Sequence, residues 1–69
     1  MVSKRAVEVS LWFSNDESLY RLARHYVRRH TKNQAAEMIL SDLTDLGITQ
    51  TPNGVPYSIS SIRYALREF

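Results

Sequence analysis

Gly47 is the position that most constrains how this chain can fold. Between Ser18 and Leu46, apolar residues recur in two runs at helical spacing, and Gly47 with Ile48 closes the second run. In the first run Leu19, Leu22, Ala23, Tyr26, Val27 and His30 make one stripe, while Arg21, Arg24, His25, Arg28, Arg29 and Lys32 lie opposite. At about 100° per residue this is an amphipathic helix ending near His30. Ser14 with Glu17 three residues later fits a capping box at its start, with Asn15 and Asp16 as alternative caps. Thr31 with Gln34 repeats the pattern and opens a second helix, whose apolar face is Ala36, Ile39, Leu40, Leu43 and Leu46. Gly47 then falls at the left-handed C′ position, with Leu43 and Ile48 as the apolar pair of a Schellman ending.

The flanking segments read differently. Residues 6–13, AVEVSLWF, alternate, with Val7, Val9, Leu11 and Phe13 on one side and Glu8, Ser10 and Trp12 on the other. Period two with β-branched and aromatic residues predicts a half-buried strand. After Gly47, the run ITQTPNGVPYS places Pro52, Asn53 and Gly54 at successive turn positions, between arms 48–51 and 55–57 that pair as a hairpin kept short by Pro52 and Pro56. Ser58 caps a third helix, with Ile59, Ile62, Ala65, Leu66 and Phe69 inward and Ser60, Arg63, Tyr64 and Arg67 outward. The order strand, helix, helix, hairpin, helix predicts one small α+β domain over 1–69, a winged or hairpin-inserted helix-turn-helix. In such modules the last helix enters the major groove.

A chain of 69 residues has room for one small core. It buries roughly 60% of its unfolded surface, and a homodimer is a natural way to add more. No cysteine is present, and His25 and His30 lack the spacing that puts two ligands on one helix face, so neither a metal nor another cofactor is expected. No apolar run approaches the roughly 20 residues of a membrane span. A reducing cytoplasm is the expected setting. The serines fall at caps and turns, Asp42 and Asp45 have no completing ligand, and there is no Gly-rich phosphate loop. Catalysis is therefore not expected.

The net charge is only +2, but its distribution is uneven. No acid lies between Ser18 and Ala36, where Arg21, Arg24, Arg28, Arg29 and Lys32 all fall. Such a segment suits a polyanion, with these residues on phosphates and Lys4 and Arg5 as an N-terminal arm. The bland alternative is a solvated helix face and a frayed terminus. Arg63 and Arg67, one turn apart on the last helix, could pair with a guanine edge and a phosphate.

Residues 31–66 resemble the DNA-binding region of large serine recombinases. The likeness is carried by Gly47-Ile48, Thr51-Pro52-Asn53-Gly54, Tyr57-Ser58 and Ser61-Ile62-Arg63-Tyr64-Ala65-Leu66. The chain departs from that pattern in the extra Thr49 and Gln50, in Asn53 where Arg or Lys is frequent, and in lacking the catalytic domain. The resemblance implies that the turn and last helix face DNA, through Asn53, Ser60, Ser61, Arg63, Tyr64 and Arg67. Residues 6–46 also resemble a ribbon-helix-helix repressor, which would read DNA from Glu8, Ser10 and Trp12 on paired strands.

The expected function is sequence-specific binding of double-stranded DNA, as a small transcriptional regulator or recombination accessory factor of a phage, plasmid or integrated element. If the protein dimerises, its recognition helices should meet half-sites about one DNA turn apart. The alternatives are a protein-binding inhibitor or antitoxin-like module acting on a host protein, and a dimeric ribbon-helix-helix repressor.

Overall fold

A computed structural model describes residues 3–69. It contains four α-helices, α1 (Lys4–Asn15), α2 (Glu17–Val27), α3 (Lys32–Asp45) and α4 (Ile59–Ala65), the last running into a 3₁₀ turn, Leu66–Glu68. Each helix packs on two others, in the cyclic order α1, α2, α3, α4. No strand occurs among the described residues; a single antiparallel bridge joins Gln50 and Pro56.

This overturns the expected α+β, strand-first architecture. Residues 6–13 lie inside α1, and its buried residues are Ala6, Val9 and Phe13. Those positions are spaced i, i+3, i+7, a helical stripe hidden within the period-two alternation. Val7 and Leu11, expected in the core, are exposed. A strand here would need a partner for its backbone groups, and the one other extended segment, 48–57, pairs with itself across two prolines. A helix satisfies its own N–H and C=O groups. Ser3 starts it, its Oγ accepting the Ala6 N–H at 3.1 Å. The ribbon-helix-helix reading required that strand and falls with it, and the winged, hairpin-inserted arrangement falls because residues 48–57 form only a turn and a single bridge.

Asp16 alone separates α1 from α2. Its backbone N–H donates to Trp12 O at 2.8 Å, closing α1, and its side chain accepts the Leu19 N–H at 3.0 Å, opening α2. Of the three caps weighed for that helix, Asp16 is the one used. α2 ends at Val27 rather than His30, the N–H groups of Arg29 and His30 both turning back to Tyr26 O. α3 has its Thr31–Gln34 capping box. It ends as the sequence predicts: Ile48 N–H donates to Leu43 O at 2.8 Å, Gly47 N–H to Thr44 O at 3.0 Å, and Gly47 has φ +77°.

In the 48–57 loop, Gly54 N–H closes a turn onto Thr51 O at 2.8 Å, and Thr51 N–H donates to Val55 O at 2.8 Å. The hairpin is thus reduced to a turn and one bridge, as two prolines require. Ser58 and Ser61 form a capping box for α4.

The core is Val9 and Phe13 of α1, Ala23 of α2, Ala35, Ala36, Ile39 and Leu43 of α3, Tyr57, and Ile62, Ala65 and Leu66 at the end of the chain. Phe13 meets Tyr57 edge to face, centroids 6.2 Å apart. Full burial of a side chain such as Phe13 or Leu66 is worth about 1.5–3 kcal/mol. No helix among the described residues is long and apolar enough to cross a membrane.

Candidate nucleic-acid interface

The packing of α4 between α1 and α3 brings the end of α4 against the start of α3. Arg63 Nε donates to Asn33 Oδ1 at 2.7 Å. Lys32 Nζ donates to the main-chain oxygen of Arg67 at 2.7 Å. The Arg67 guanidinium stacks on Tyr64, its Cζ 3.8 Å from the ring centroid. Its Nη1 donates to Tyr64 O at 3.0 Å and to Ser10 Oγ of α1 at 3.4 Å.

Ser10 continues the face toward α2. A cleft of about 310 Å³ is lined by Ser10, Ser14, Tyr20, Arg24, Val27, Arg28, Ala65, Glu68 and Phe69. Phe69 stacks on Tyr20 with centroids 5.2 Å apart, and Arg24 Nη1 donates to the Tyr20 hydroxyl at 3.3 Å. Arg24 of α2 and Arg28 just past its end line this cleft; Arg67 meets it at Ser10 and is tied to Lys32 of α3, whose neighbour Asn33 holds Arg63. The acid lining the cleft is Glu68, 3.7 Å from Arg67 in an exposed pair of little energetic weight.

The remaining candidates lie around this surface or away from it. Arg21 and Arg29 border a shallow hollow on the outer side of α2 with Arg24 and Arg28. Glu17, one residue outside the acid-free segment, pairs with Arg21. Lys4 and Arg5 form the first turn of α1 instead of a free arm. The macrodipole disfavours cations there. Arg5 borders Ser58, Ser60 and Tyr64, while Lys4 lies beside Glu8 and Asn53.

Ser60 is exposed, but Ser61 is only 5% exposed and closes the Ser58 cap. Asn53 does not join Arg63 and Arg67. Its Nδ2 donates to Glu8 Oε1 at 3.4 Å, and the Thr51 hydroxyl donates to the other Glu8 oxygen. Glu8 and Ser10 are two apart on a helix, roughly 200° around it. The turn held by Glu8 and the Arg67 that reaches Ser10 therefore occupy opposite flanks of α1. Glu8, Ser10 and Trp12, grouped on one face by the strand reading, are divided by the helix: Glu8 and Trp12, one turn apart, line one hollow with Asn53, and Ser10 lies on the opposite flank.

Asn33 and Phe69 were not among the sequence candidates for binding, and Ser10 was one only on the ribbon-helix-helix reading. For Asn33 the sequence carries no signal, since its partner lies thirty residues away. Phe69 was legible only as an inward residue of the last helix.

A second surface has the opposite character. A groove of about 750 Å³ is lined by Trp12, Leu19, Leu22, Leu43, Leu46, Ile48, Pro52 and Tyr57, with Asp16, Ser18, Gln50 and Thr51 and no Lys or Arg. Leu46 is 72% exposed on it.

Among the described residues, the two perturbed titrating groups belong to neither arginine cluster. Tyr26 donates to Asp42 across α2 and α3; that hydrogen bond, then burial, raises its pKa. Burial, then the nearby Asp16 and Glu8 carboxylates, raise Tyr57. Among the described residues no three His, Asp or Glu side chains gather as a metal would require. No protein-family model, curated protein or solved structure matches the chain.

Proposed function

We propose that this protein binds double-stranded DNA through the face made by α2, the start of α3 and the end of α4, as a small cytoplasmic regulator or recombination accessory factor of a phage, plasmid or integrated element. One observation carries this reading: Arg24 and Arg28 line a cleft whose residue Ser10 is met by Arg67, and Arg67 is tied to Lys32, whose neighbour Asn33 holds Arg63. Arginines on a water-exposed face, ordered by neutral oxygens rather than carboxylates, keep their charge for an outside anion. The likeness of residues 31–66 to recombinase DNA-binding regions points the same way.

Ser60, Arg63 and Tyr64 would lie toward base edges. Arg24, Arg28, Lys32 and Arg67 would lie on flanking phosphates, with Arg5, Arg21 and Arg29 at the margin. Counterion release makes such binding fall steeply with salt. A low-salt gel shift with a pool of random duplexes tests it. Wild type should retard the pool, and Arg63→Ala with Arg67→Ala should not, at unchanged helicity. Equal retardation of both proteins would refute the assignment.

The apolar groove favours a second reading, a protein-binding module, because a leucine as exposed as Leu46 beside Trp12 and Ile48 suits a protein partner. Its mark would be stoichiometric capture of a host protein, abolished by Leu46→Asp, with no duplex affinity at any salt.

A further inference from the structure

We infer that Asn33 is a positioning residue that aims Arg63 at a guanine, an assignment that rests on duplex binding through this face. Asn33 sits in the first turn of α3, exposed, and the one hydrogen bond of its side chain among the described residues is the 2.7 Å contact from Arg63 Nε to its Oδ1. Arginine only donates, so the amide oxygen must be the atom that faces it. The contact spans thirty residues and joins two helices, so it sets the side chain's direction relative to the whole face.

The consequence lies in which donors remain. The Arg63 side chain has no other hydrogen bond or ion pair among the described residues and is half-buried. With Nε occupied, both Nη groups stay available as a planar fork. That fork matches O6 and N7 of guanine, which accept two parallel bonds in the major groove. Arg67 is different. Its Nη1 is spent on Tyr64 O and Ser10 Oγ, and its plane is stacked on Tyr64. Its Nη2 lies 3.7 Å from Glu68 Oε1, so it lacks the free Nη1–Nη2 fork that Arg63 keeps and is better placed to offer charge to a phosphate. Of the two arginines on the last helical segment, Arg63 is the one with both Nη groups unengaged among the described residues, and Asn33 holds it in that arrangement.

Selection from a randomised duplex pool, carried out in parallel with wild type, Asn33→Ala, Asn33→Asp and Arg63→Lys, tests this. Wild type should enrich a site containing a G·C pair at one position. Asn33→Ala should lose roughly tenfold or more of its discrimination at that position alone. Its total affinity for unselected duplex and its salt slope should stay the same, because Asn33 carries no charge to a phosphate. Arg63→Lys should lose the same position, and Asn33→Asp, which keeps an oxygen for Nε, should retain it. Folding is checked by helicity, and the Arg63 Nε–H resonance in the free protein should move in Asn33→Ala. Unchanged preference in Asn33→Ala, or an Arg63 resonance indifferent to it, would overturn the positioning role while leaving duplex binding intact. Failure of wild type to retain any duplex would overturn both.

Discussion

Lys32 and Arg67, thirty-five residues apart, are joined by a 2.7 Å hydrogen bond from the Lys32 ammonium to the Arg67 carbonyl oxygen. A cation thereby satisfies one of the carbonyls left open at the end of the last helical segment, where the macrodipole favours positive charge. The same contact ties the last turn to the start of α3 and keeps two basic side chains on one surface. Lys32→Met should therefore loosen the end of the chain more than it lowers global stability. Expected are a loss of about 0.5–1 kcal/mol and faster amide exchange at Glu68 and Phe69, with the middle of α3 unaffected. Unaltered exchange at those amides would count against the contact.

Thr51 is the polar residue most central to the loop. It is 2% exposed, its hydroxyl donates to Glu8, and it accepts the Val55 N–H at 3.1 Å. Thr51→Val keeps the shape and removes both bonds, so urea denaturation should show a loss of about 1–3 kcal/mol. Asn53→Ala, which breaks only an exposed contact, should stay within about 0.5 kcal/mol of wild type. Equal effects from the two would mean that Glu8 does not anchor the loop.

Gly47 makes its turn at φ +77°, with no atom near where a Cβ would lie. The cost of a side chain there is conformational and not steric crowding. Gly47→Ala should lose about 1 kcal/mol. D-alanine at the same position, accessible by chemical synthesis of so short a chain, should match or exceed glycine. Indistinguishable L- and D-alanine proteins would show that the left-handed ending of α3 is not the operative feature.

Tyr26 should make the protein sensitive to alkali. Its hydrogen bond to Asp42, with burial, raises its pKa above the usual value of about 10, so the folded state holds that proton more tightly than the unfolded. The resulting stabilisation is complete below about pH 10 and declines as pH rises through the folded-state value. Tyr26→Phe should show a shallower alkaline decline in denaturant midpoint than wild type, Tyr57 supplying the rest. Parallel pH profiles would exclude the coupling.

What was legible in the sequence was local. The Thr31–Gln34 box and the Gly47 ending of α3 depend on residues within one turn of each other, and both occur in the structure. The brevity of pairing around Pro52 and Pro56 followed from two missing N–H donors. α1 was misread because Ala6, Val9 and Phe13 satisfy a helical stripe and Val7, Val9, Leu11 and Phe13 satisfy an alternating one. Only the lack of a partner strand decides between them, and that is a tertiary fact. The contacts that shape the candidate face, from Arg63 to Asn33 and from Arg67 to Ser10, link residues thirty and fifty-seven positions apart. The sign of the charge was readable in advance; its geometry depended on how the helices pack.

Duplex binding by the basic face is tested most directly by fluorescence anisotropy of a labelled duplex against salt. Wild type is compared with a variant carrying Arg24→Gln, Arg28→Gln, Arg63→Gln and Arg67→Gln. Wild type should bind at low salt, with log affinity falling linearly with log salt. The variant should lose roughly one unit of that slope for each phosphate contact removed, while keeping its helicity. No association of wild type at any salt, or the same affinity and slope for both proteins, would contradict duplex binding through these arginines.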